Sequence, residues 1–415
     1  MRTLIVSHSD IAGGAGRAAY RLHKACQKHD IDSSMLVREK FSEDDTVRCD
    51  HSMVVKLAAR IRSQIEHRSQ RLRAFESSGF ASLNLLPTWW SREINAVNAD
   101  VVNLHWFGSG ALSIHDVARI RYPVVMTLHD MWGFCGAEHY APDRDDARWR
   151  VGYSLRGQGN KVRGVDINHW VWRSKQRHWR PVPIICPSRW IAECAQSSVL
   201  MSTWPIHVVP NVLDVDAFRP LDRQSARNAL NLPQEKKIIL FGAAAGYTDR
   251  RKGLDLLIEA LGRLDNTRDT HLGVIFGQSE PDKAPQVGIP LLWRGFIDDD
   301  SVLAQLYSSA DVMVVPSRQE AFGQTASEAQ ACGTPVVAFN ATGLKDVVAH
   351  RQTGYLAEAY STDDLARGMS WVLEDEARRS TMGQAARRRA VECWNPSVIV
   401  AQYQAVFQQA LEENA

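Results

Sequence analysis

The sequence lacks the features that mark membrane, fibrous and disordered proteins. None of its runs approaches the roughly 18 to 20 consecutive apolar residues of a membrane-spanning helix. The first apolar stretch, after Met1, is too short for a secretory signal peptide. The sequence also contains no internal repeat and no low-complexity tract. We therefore expect a globular protein without a secretory signal peptide.

Paired cysteines and an excess of charge of one sign are absent as well. The seven cysteines are scattered and form no Cys-x-x-Cys pair, so neither a disulfide framework nor a zinc ribbon is indicated. A cytoplasmic location is the simplest expectation. Lys and Arg number 49 against 47 Asp and Glu, and the net charge of +2 argues against nucleic acid as a partner.

Short β-branched runs alternate with longer helical patterns along the chain. Runs that are apolar without alternation suit parallel strands buried on both faces, and strand–helix–strand repetition indicates doubly wound α/β domains. The predicted strands form two series: Leu4–Val6, Val101–Leu104, Val124–Thr127, Ile184–Cys186 and His207–Val209, then Ile238–Phe241, Leu272–Phe276, Val312–Val315 and Pro335–Ala338.

The two series predict two domains. The segment from Pro210 to Pro220 carries a proline at each end and separates the series, so residues 1–210 form one domain and 211–393 the other. Residues 394–415 have a helical pattern with an apolar stripe. We expect this helix to cross back to the first domain, although packing on the second is the simpler alternative.

The most specific motif follows the strand ending at Val315. Gly323 lets the chain approach a ligand closely, and the helix starting near Thr325 offers free amides to an anion. Glu320 lies before this turn and suits sugar hydroxyls, while Glu328, eight residues on, suits the vicinal diol of a ribose. Two carboxylates flanking a phosphate-holding turn predict a nucleotide-sugar site; ordinary loop and helix-start acids are the alternative.

Two further segments follow strands of the first series. Gly13, Gly14 and Gly16 open a helix without the Gly-x-Gly-x-x-Gly spacing of dehydrogenases, so close contact with a ligand and a plain turn both remain open. His129 ends a strand, where Asp130 could orient its ring; a structural His–Asp pair that caps the strand is the alternative. His105 ends a neighbouring strand and is a second candidate.

The segment from Arg318 to Glu328 resembles the Glu-x7-Glu motif of the retaining, GT-B fold glycosyltransferases of family 4. The resemblance continues through Ala331-Cys332-Gly333-Thr334-Pro335, Gly343-Leu344-Lys345-Asp346 and Gly354-Tyr355-Leu356, and covers most of the second domain. The first domain is more loosely similar to the members that build bacterial exopolysaccharide and O-antigen chains. The resemblance implies two doubly wound parallel-sheet domains facing a cleft.

The resemblance also implies the reaction and its residues. A sugar would pass from a nucleoside diphosphate sugar to a glycan or lipid-linked glycan acceptor, with retention, and with neither a cofactor nor a metal. His129 would contact the transferred sugar, and Lys252 with Arg250 or Arg251 would hold the diphosphate, although the family's usual arginine position is Ala or Gly here. Other implied donor-binding residues are Gly13, Gly14, Gly16, Arg251, Phe322, Gly323, Gln324, Thr325 and Glu328, beside the catalytic Glu320.

Other functions remain as alternatives. A GT-B phosphorylase or nucleotide-sugar epimerase, or a protein that binds nucleotide-sugar without transferring it, would share much of this pattern. Lys56–Arg73 reads as a basic amphipathic helix, suited either to peripheral contact with the inner membrane or to an ordinary surface position. The basic, Trp-rich residues 144–180 could form a lid over the acceptor.

Overall fold

A computed structural model describes residues 1–49, 80–154, 165–242, 248–264 and 268–414. The chain divides into two compact units. The first unit comprises Met1–Val209 together with Val400–Ala415, and the second comprises Pro210–Ile399.

The described part of the first unit contains seven strands and six helices before residue 210. The strands are β1 (Arg2–Ser9), β2 (Asp32–Glu39), β3 (Val47–Cys49), β4 (Val101–Leu104), β5 (Val124–Thr127), β6 (Ile184–Cys186) and β7 (Ile206–Val208). The helices are α1 (Gly13–Lys28), α2 (Trp90–Ala96), α3 (Ile114–Val117), α4 (Arg148–Val151), α5 (Ile167–His178) and α6 (Arg189–Gln196).

These strands form one parallel sheet in the order β3-β2-β1-β4-β5-β6-β7. Val6 of β1 lies opposite Leu36 on β2 and Leu104 on β4, so the strand order changes direction at β1 and β4. In open parallel sheets, ligands bind beyond the carboxyl ends of the strands at such a switch point. The chain segments that follow β1 and β4 therefore flank the expected ligand position of this unit.

The second unit follows the same plan. Its strands are β8 (Lys237–Gly242), β9 (His271–Phe276), β10 (Leu291–Trp293), β11 (Val312–Val315), β12 (Val336–Phe339) and β13 (Gly354–Ala357). Its described helices are α7 (Arg223–Ala229), the 3-10 turn Arg250–Lys252, α8 (Leu254–Leu261), α9 (Asp300–Ser309), α10 (Gln324–Ala331), α11 (Leu344–Val347), α12 (Thr362–Glu374) and α13 (Glu376–Trp394).

The second sheet is parallel in the order β10-β9-β8-β11-β12-β13. Ile239 of β8 lies opposite Gly273 on β9 and Val312 on β11, which places the switch point between β8 and β11. Apolar clusters cover both faces of the sheet, as expected for continuously apolar strands. The chain segments after β8 and β11 carry Lys252 and Glu320.

A buried carboxylate anchors β11 at its amino end. Asp311 accepts hydrogen bonds from the Arg227 Nη2 at 2.8 Å, the Arg223 Nη1 at 2.9 Å and the Ile238 amide at 2.7 Å. The Arg379 Nε lies 3.3 Å from the same carboxylate. Because Asp311, Arg227 and Arg379 are all buried, removing the Asp311 carboxylate would leave two buried guanidinium groups without their counter-charge. This ion network fixes the sheet on the edge opposite Lys252 and Glu320.

Several of the described helices begin where a polar side chain satisfies a free amide. Asp166, Ser188, Asp299 and Ser361 each accept a hydrogen bond from an amide in the first turn of the following helix. Asp299 was one of three consecutive aspartates in the sequence, and its role as a cap accounts for its position. The last helix, α14 (Pro396–Glu412), contributes its residues from Val400 onward to the first unit, where Tyr403 and Phe407 are buried.

Four observed strands lie outside the predicted set: β2, β3, β10 and β13. Three of them, β3, β10 and β13, are edge strands of three or four residues. Across the described residues, no helix has the length and apolar character needed to cross a membrane.

Candidate active site

The start of α10 is the first component of the site. Gly323 is its N-cap, with φ at +101°, a left-handed conformation that favours glycine. No side chain caps this helix start. The first-turn residues Gln324 and Thr325 are partly exposed. The site therefore offers backbone donors and the positive end of a helix dipole, which together suit an anion such as a phosphate.

The second component is an ion pair at the same sheet edge. The Lys252 Nζ donates to the Glu320 Oε2 at 2.8 Å, although the two residues are 68 positions apart. Both side chains are partly exposed, at 25% and 17%. The pair forms because Lys252 ends the 3-10 turn after β8 while Glu320 lies in the loop after β11. An ammonium group thus lies at the switch point, paired with a carboxylate three residues before the N-cap of α10.

Backbone contacts hold the two loops together. The Arg318 amide donates to the Arg251 carbonyl at 2.7 Å, and the Gly343 amide donates to the Glu320 carbonyl at 2.9 Å. The Glu320 amide donates to the Thr342 Oγ1 at 3.2 Å. The Glu320 backbone is therefore held on both sides, and this fixes the position from which its side chain extends.

Three arginines lie on the same two loops as this pair. Arg318 donates two hydrogen bonds to Asp255, at 2.7 and 2.8 Å, and these bonds are the main reason that the pKa of Asp255 lies below its usual value. Arg251 pairs with Asp249 at 2.5 Å, and the exposed Arg250 lies 3.9 Å from Asp255. The sequence reasoning gave no role to Arg318, which braces the loops. Which of Arg250 and Arg251 meets a diphosphate stays a prediction.

The remaining motif residues lie deeper. Glu328 is 5% exposed on α10, and its Oε2 accepts a hydrogen bond from the Tyr307 hydroxyl at 2.7 Å. The Phe322 side chain is buried and packs edge-on against Trp394, with ring centroids 5.9 Å apart. The Phe322 side chain therefore belongs to the core, and only the backbone of Phe322 is available to a ligand.

In the first unit, the three glycines form the first turn of α1, four residues after the end of β1. Helix α1 begins at Gly13, and a Cβ on Gly16 would lie 2.7 Å from the Ser9 Oγ. Asp10, which sequence reasoning missed, is fully buried and accepts hydrogen bonds from the amides of Ile11, Phe41 and Ser42. Burial alone would raise the pKa of Asp10, but the hydrogen bonds lower it overall, so Asp10 is an ionised anchor for this segment.

His129 follows β5, as predicted, but its partner is different. The expectation that Asp130 orients its ring is wrong: Asp130 accepts hydrogen bonds from the His139 Nδ1 at 2.6 Å and the Trp106 Nε1 at 2.8 Å. The His129 Nε2 lies 2.9 Å from the Nδ1 of His105 instead. Adjacent side chains on a chain leaving a strand diverge, so the neighbour in sequence was a poor guide. The two candidate histidines form one unit.

Two glycosyltransferase family models match this sequence. The family model described as Glycosyltransferase Family 4 matches residues 12–217, and the one described as Glycosyl transferases group 1 matches residues 222–389. The D-inositol 3-phosphate glycosyltransferase of Jonesia denitrificans is 35% identical over an alignment covering 70% of this chain and 67% of that relative. The chain belongs to glycosyltransferase family 4. The prediction that it is a glycosyltransferase is confirmed.

Solved structures of glycosyltransferases share its fold. Sucrose-phosphate synthase from Thermosynechococcus elongatus has a TM-score of 0.68 at 18% identity, with both chains covered completely. Anabaena HepE in complex with UDP-glucose has a TM-score of 0.63 at 16% identity, covering 99% of this chain and 100% of that one. At these identities the likeness concerns the fold alone, and it confirms the predicted GT-B class. Alignments with several other D-inositol 3-phosphate glycosyltransferases span about half of those relatives' length.

Other predictions for this family 4 glycosyltransferase concern the Trp-rich segment. Trp149, Trp172 and Trp179 are buried in the first unit, and only Trp170 of the four is exposed. The buried Lys175 donates to the carbonyls of Trp132, Cys135 and Gly136. Most of these aromatic side chains therefore serve the core, a role that composition alone did not distinguish from a lid.

Three predictions fall on parts of the glycosyltransferase outside the described residues. They are the basic helix at Lys56–Arg73, the Ala and Gly positions directly after β8 at 243–247, and the middle of the Trp-rich segment at 155–164. Membrane contact through Lys56–Arg73 stays a prediction.

Proposed function

We propose that this glycosyltransferase moves a sugar, with retention, from a nucleoside diphosphate sugar to a hydroxyl of a glycan or lipid-linked glycan in bacterial surface polysaccharide synthesis. The observation that carries the proposal is the convergence of the uncapped start of α10 with the Lys252–Glu320 pair at one switch point. The similar fold of HepE, crystallised with UDP-glucose, supports a nucleotide-sugar donor.

Each group has a role that fits its chemistry. The amides at the start of α10 and the Lys252 ammonium would hold the diphosphate and offset the charge that grows on it as it leaves. Glu320 would accept hydrogen bonds from sugar hydroxyls, and Glu328 from the ribose. His129 would contact the transferred sugar. The proposed remaining donor contacts are Gly13, Gly14, Gly16, Arg251, the Phe322 backbone, Gly323, Gln324 and Thr325.

The proposed chemistry is same-face substitution. The acceptor oxygen forms a bond to the anomeric carbon while the bond from that carbon to the diphosphate oxygen breaks, and the acceptor proton moves to the departing phosphate oxygen. Since the leaving group itself takes the proton, the rate depends mainly on positioning and on stabilising the departing phosphate. Lys252 is suited to this step because its charge is fixed close to the helix start.

A second acceptor is favoured by the curated relatives. Several relatives at 30% to 36% identity are named D-inositol 3-phosphate glycosyltransferases. An inositol phosphate is a small soluble acceptor, whereas a lipid-linked glycan is not. The two acceptors differ in phosphate charge and in size, so one assay separates them.

The test begins with thermal stabilisation of the full chain by a panel of nucleoside diphosphate sugars. Release of nucleoside diphosphate is then followed with either a glycan acceptor or D-inositol 3-phosphate, and the anomeric configuration of the product is read by NMR. Transfer with retention to the glycan supports the first proposal, and transfer to the inositol phosphate supports the second. Epimerised donor without acceptor, phosphate-dependent cleavage, or binding without any turnover would each overturn the transferase mechanism.

Replacing Glu328 with glutamine should weaken donor binding. A hydrogen bond to a charged group contributes about 1.5–3 kcal/mol, so we expect the KM for the donor to rise at least about tenfold with kcat changed less. Tyr307→Phe is the matched control, because it removes the hydroxyl that contacts Glu328 while keeping the carboxylate. Steady-state kinetics on both variants measures this effect, and an unchanged KM in Glu328→Gln would remove Glu328 from the donor site.

A further inference from the structure

A chain of hydrogen bonds runs from β4 to His129. It starts at Asn103, which is fully buried on β4. The Asn103 Nδ2 donates to the Val125 carbonyl at 3.1 Å and to the Thr127 Oγ1 at 3.0 Å. Because a backbone carbonyl can only accept, it fixes the orientation of the Asn103 amide. The Asn103 Oδ1 must then be an acceptor for its other neighbour.

That neighbour is His105. Its Nε2 lies 2.7 Å from the Asn103 Oδ1, so the Nε2 carries the hydrogen and donates. Burial holds the pKa of His105 well below its usual value, and the ring is therefore neutral. In a neutral imidazole with a protonated Nε2, the Nδ1 carries a lone pair. The His105 Nδ1 is thus an acceptor facing His129.

The same reasoning fixes His129. Its Nε2 lies 2.9 Å from the His105 Nδ1 and must donate. Burial lowers the pKa of His129 to about 4, outweighing the opposing charge of Asp130, so the ring is neutral near pH 7. Its Nδ1 then carries a lone pair, and it has no hydrogen-bond partner among the residues that the structure describes. The partly exposed ring is left with one free acceptor.

We propose that Asn103 and His105 are positioning residues that hold His129 as the Nε2–H tautomer, so that its Nδ1 selects a donor sugar presenting a hydroxyl over one presenting a carboxylate. The proposal rests on the proposed function, in which His129 meets the transferred sugar. A hydroxyl donates to the lone pair, whereas an ionised carboxylate has only acceptors and would face it unpaired. A sugar group that faces the Nδ1 is therefore favoured as a hydroxyl over a carboxylate.

The direct test is the tautomer of His129 in the full chain. Protein labelled with ¹⁵N-histidine is examined by long-range ¹H–¹⁵N NMR near pH 7, with His129→Gln used to assign the signals. We expect a protonated Nε2 and an unprotonated Nδ1. A protonated Nδ1 would overturn the proposal whatever the enzyme transfers, so failure here is distinct from failure of the proposed function.

Variants test the positioning role. His105→Phe removes the acceptor of the His129 Nε2–H, and we expect a mixture of His129 tautomers and about a tenfold fall in kcat/KM. His105→Gln keeps an acceptor oxygen and should restore part of both. His178→Phe, outside the chain of hydrogen bonds, should change neither. The ratio of His129 tautomers is measured independently of activity. If His105→Phe lost activity with an unchanged tautomer ratio, the substitution would only have loosened the fold. That outcome would contradict the proposal.

Selectivity is measured with UDP-glucose and UDP-glucuronic acid, which differ by a hydroxymethyl against a carboxylate. We expect UDP-glucose to stabilise the wild-type protein against heat, and UDP-glucuronic acid to require at least about a tenfold higher concentration for the same stabilisation. This ratio of concentrations should be smaller in His105→Phe. Preference for the uronic acid would overturn the selectivity. If neither compound binds, the proposed donor class fails while the tautomer measurement still decides the positioning role.

Discussion

Replacing Lys252 with methionine should lower kcat by about 100- to 1000-fold, which is the usual cost of removing one preorganised donor from a transition state. The ammonium group lies 2.8 Å from Glu320 and close to the uncapped start of α10, where the charge of a departing diphosphate would grow. Methionine keeps most of the length of the side chain but cannot offset that charge. The loss should appear mainly in kcat, because the charge develops as the bond breaks.

The fold should survive this change. Both Lys252 and Glu320 are partly exposed, so the unpaired carboxylate is left in contact with water, and surface ion pairs contribute at most about 1 kcal/mol. Lys237→Met is the matched control, since Lys237 lies at the amino end of β8, the opposite end from Lys252. Kinetics and thermal unfolding of both variants test the prediction. Equal kcat values in Lys252→Met and wild type would exclude Lys252 from the chemical step.

The sequence allowed the general plan of this protein to be predicted because its central strands are continuously apolar. Runs such as Val124–Thr127 and Val312–Val315 match the observed strands residue for residue. The edge strands β3 and β10 were not predicted: β3 has a charged residue, Arg48, at its centre, and a strand's place in a sheet depends on pairing with a strand elsewhere in the sequence. Strand β2 was also not predicted, because it begins with polar residues.

The site was predictable in its residue types but not in its pairings. Glu320 and Gly323 could be found because a turn before a helix has a local signature. The Lys252–Glu320 pair and the contact of His105 with His129 join positions on different loops, so no local pattern reveals them. The wrong pairing of Asp130 with His129 has the same cause. Neighbours in sequence were assumed to be neighbours in space, whereas the partner of Asp130 is His139.

Substituting Gly253 with alanine should reduce both stability and activity. Gly253 has φ at +71°, and a Cβ there would lie 1.9 Å from the Pro316 carbonyl oxygen. The left-handed conformation costs an alanine roughly 1–2 kcal/mol, and the forced separation of the two loops about 1–3 kcal/mol more. This contact holds the turn bearing Lys252 against the loop bearing Glu320. A displacement of Lys252 by about 1 Å should lower kcat by roughly 100-fold, in addition to the loss of stability.

Gly262→Ala provides the comparison, because Gly262 lies at the other end of the same helix, α8. Its φ is −65°, and the nearest atom to an added Cβ, the Glu259 carbonyl oxygen, is 3.4 Å away. Alanine should therefore be tolerated there. Urea unfolding and steady-state kinetics of the two variants separate a general effect of adding a methyl group to this helix from a specific effect on the Lys252 turn. If Gly253→Ala retained wild-type kcat despite lower stability, the tight contact with Pro316 would serve the fold alone, and Lys252 would not depend on it for its position.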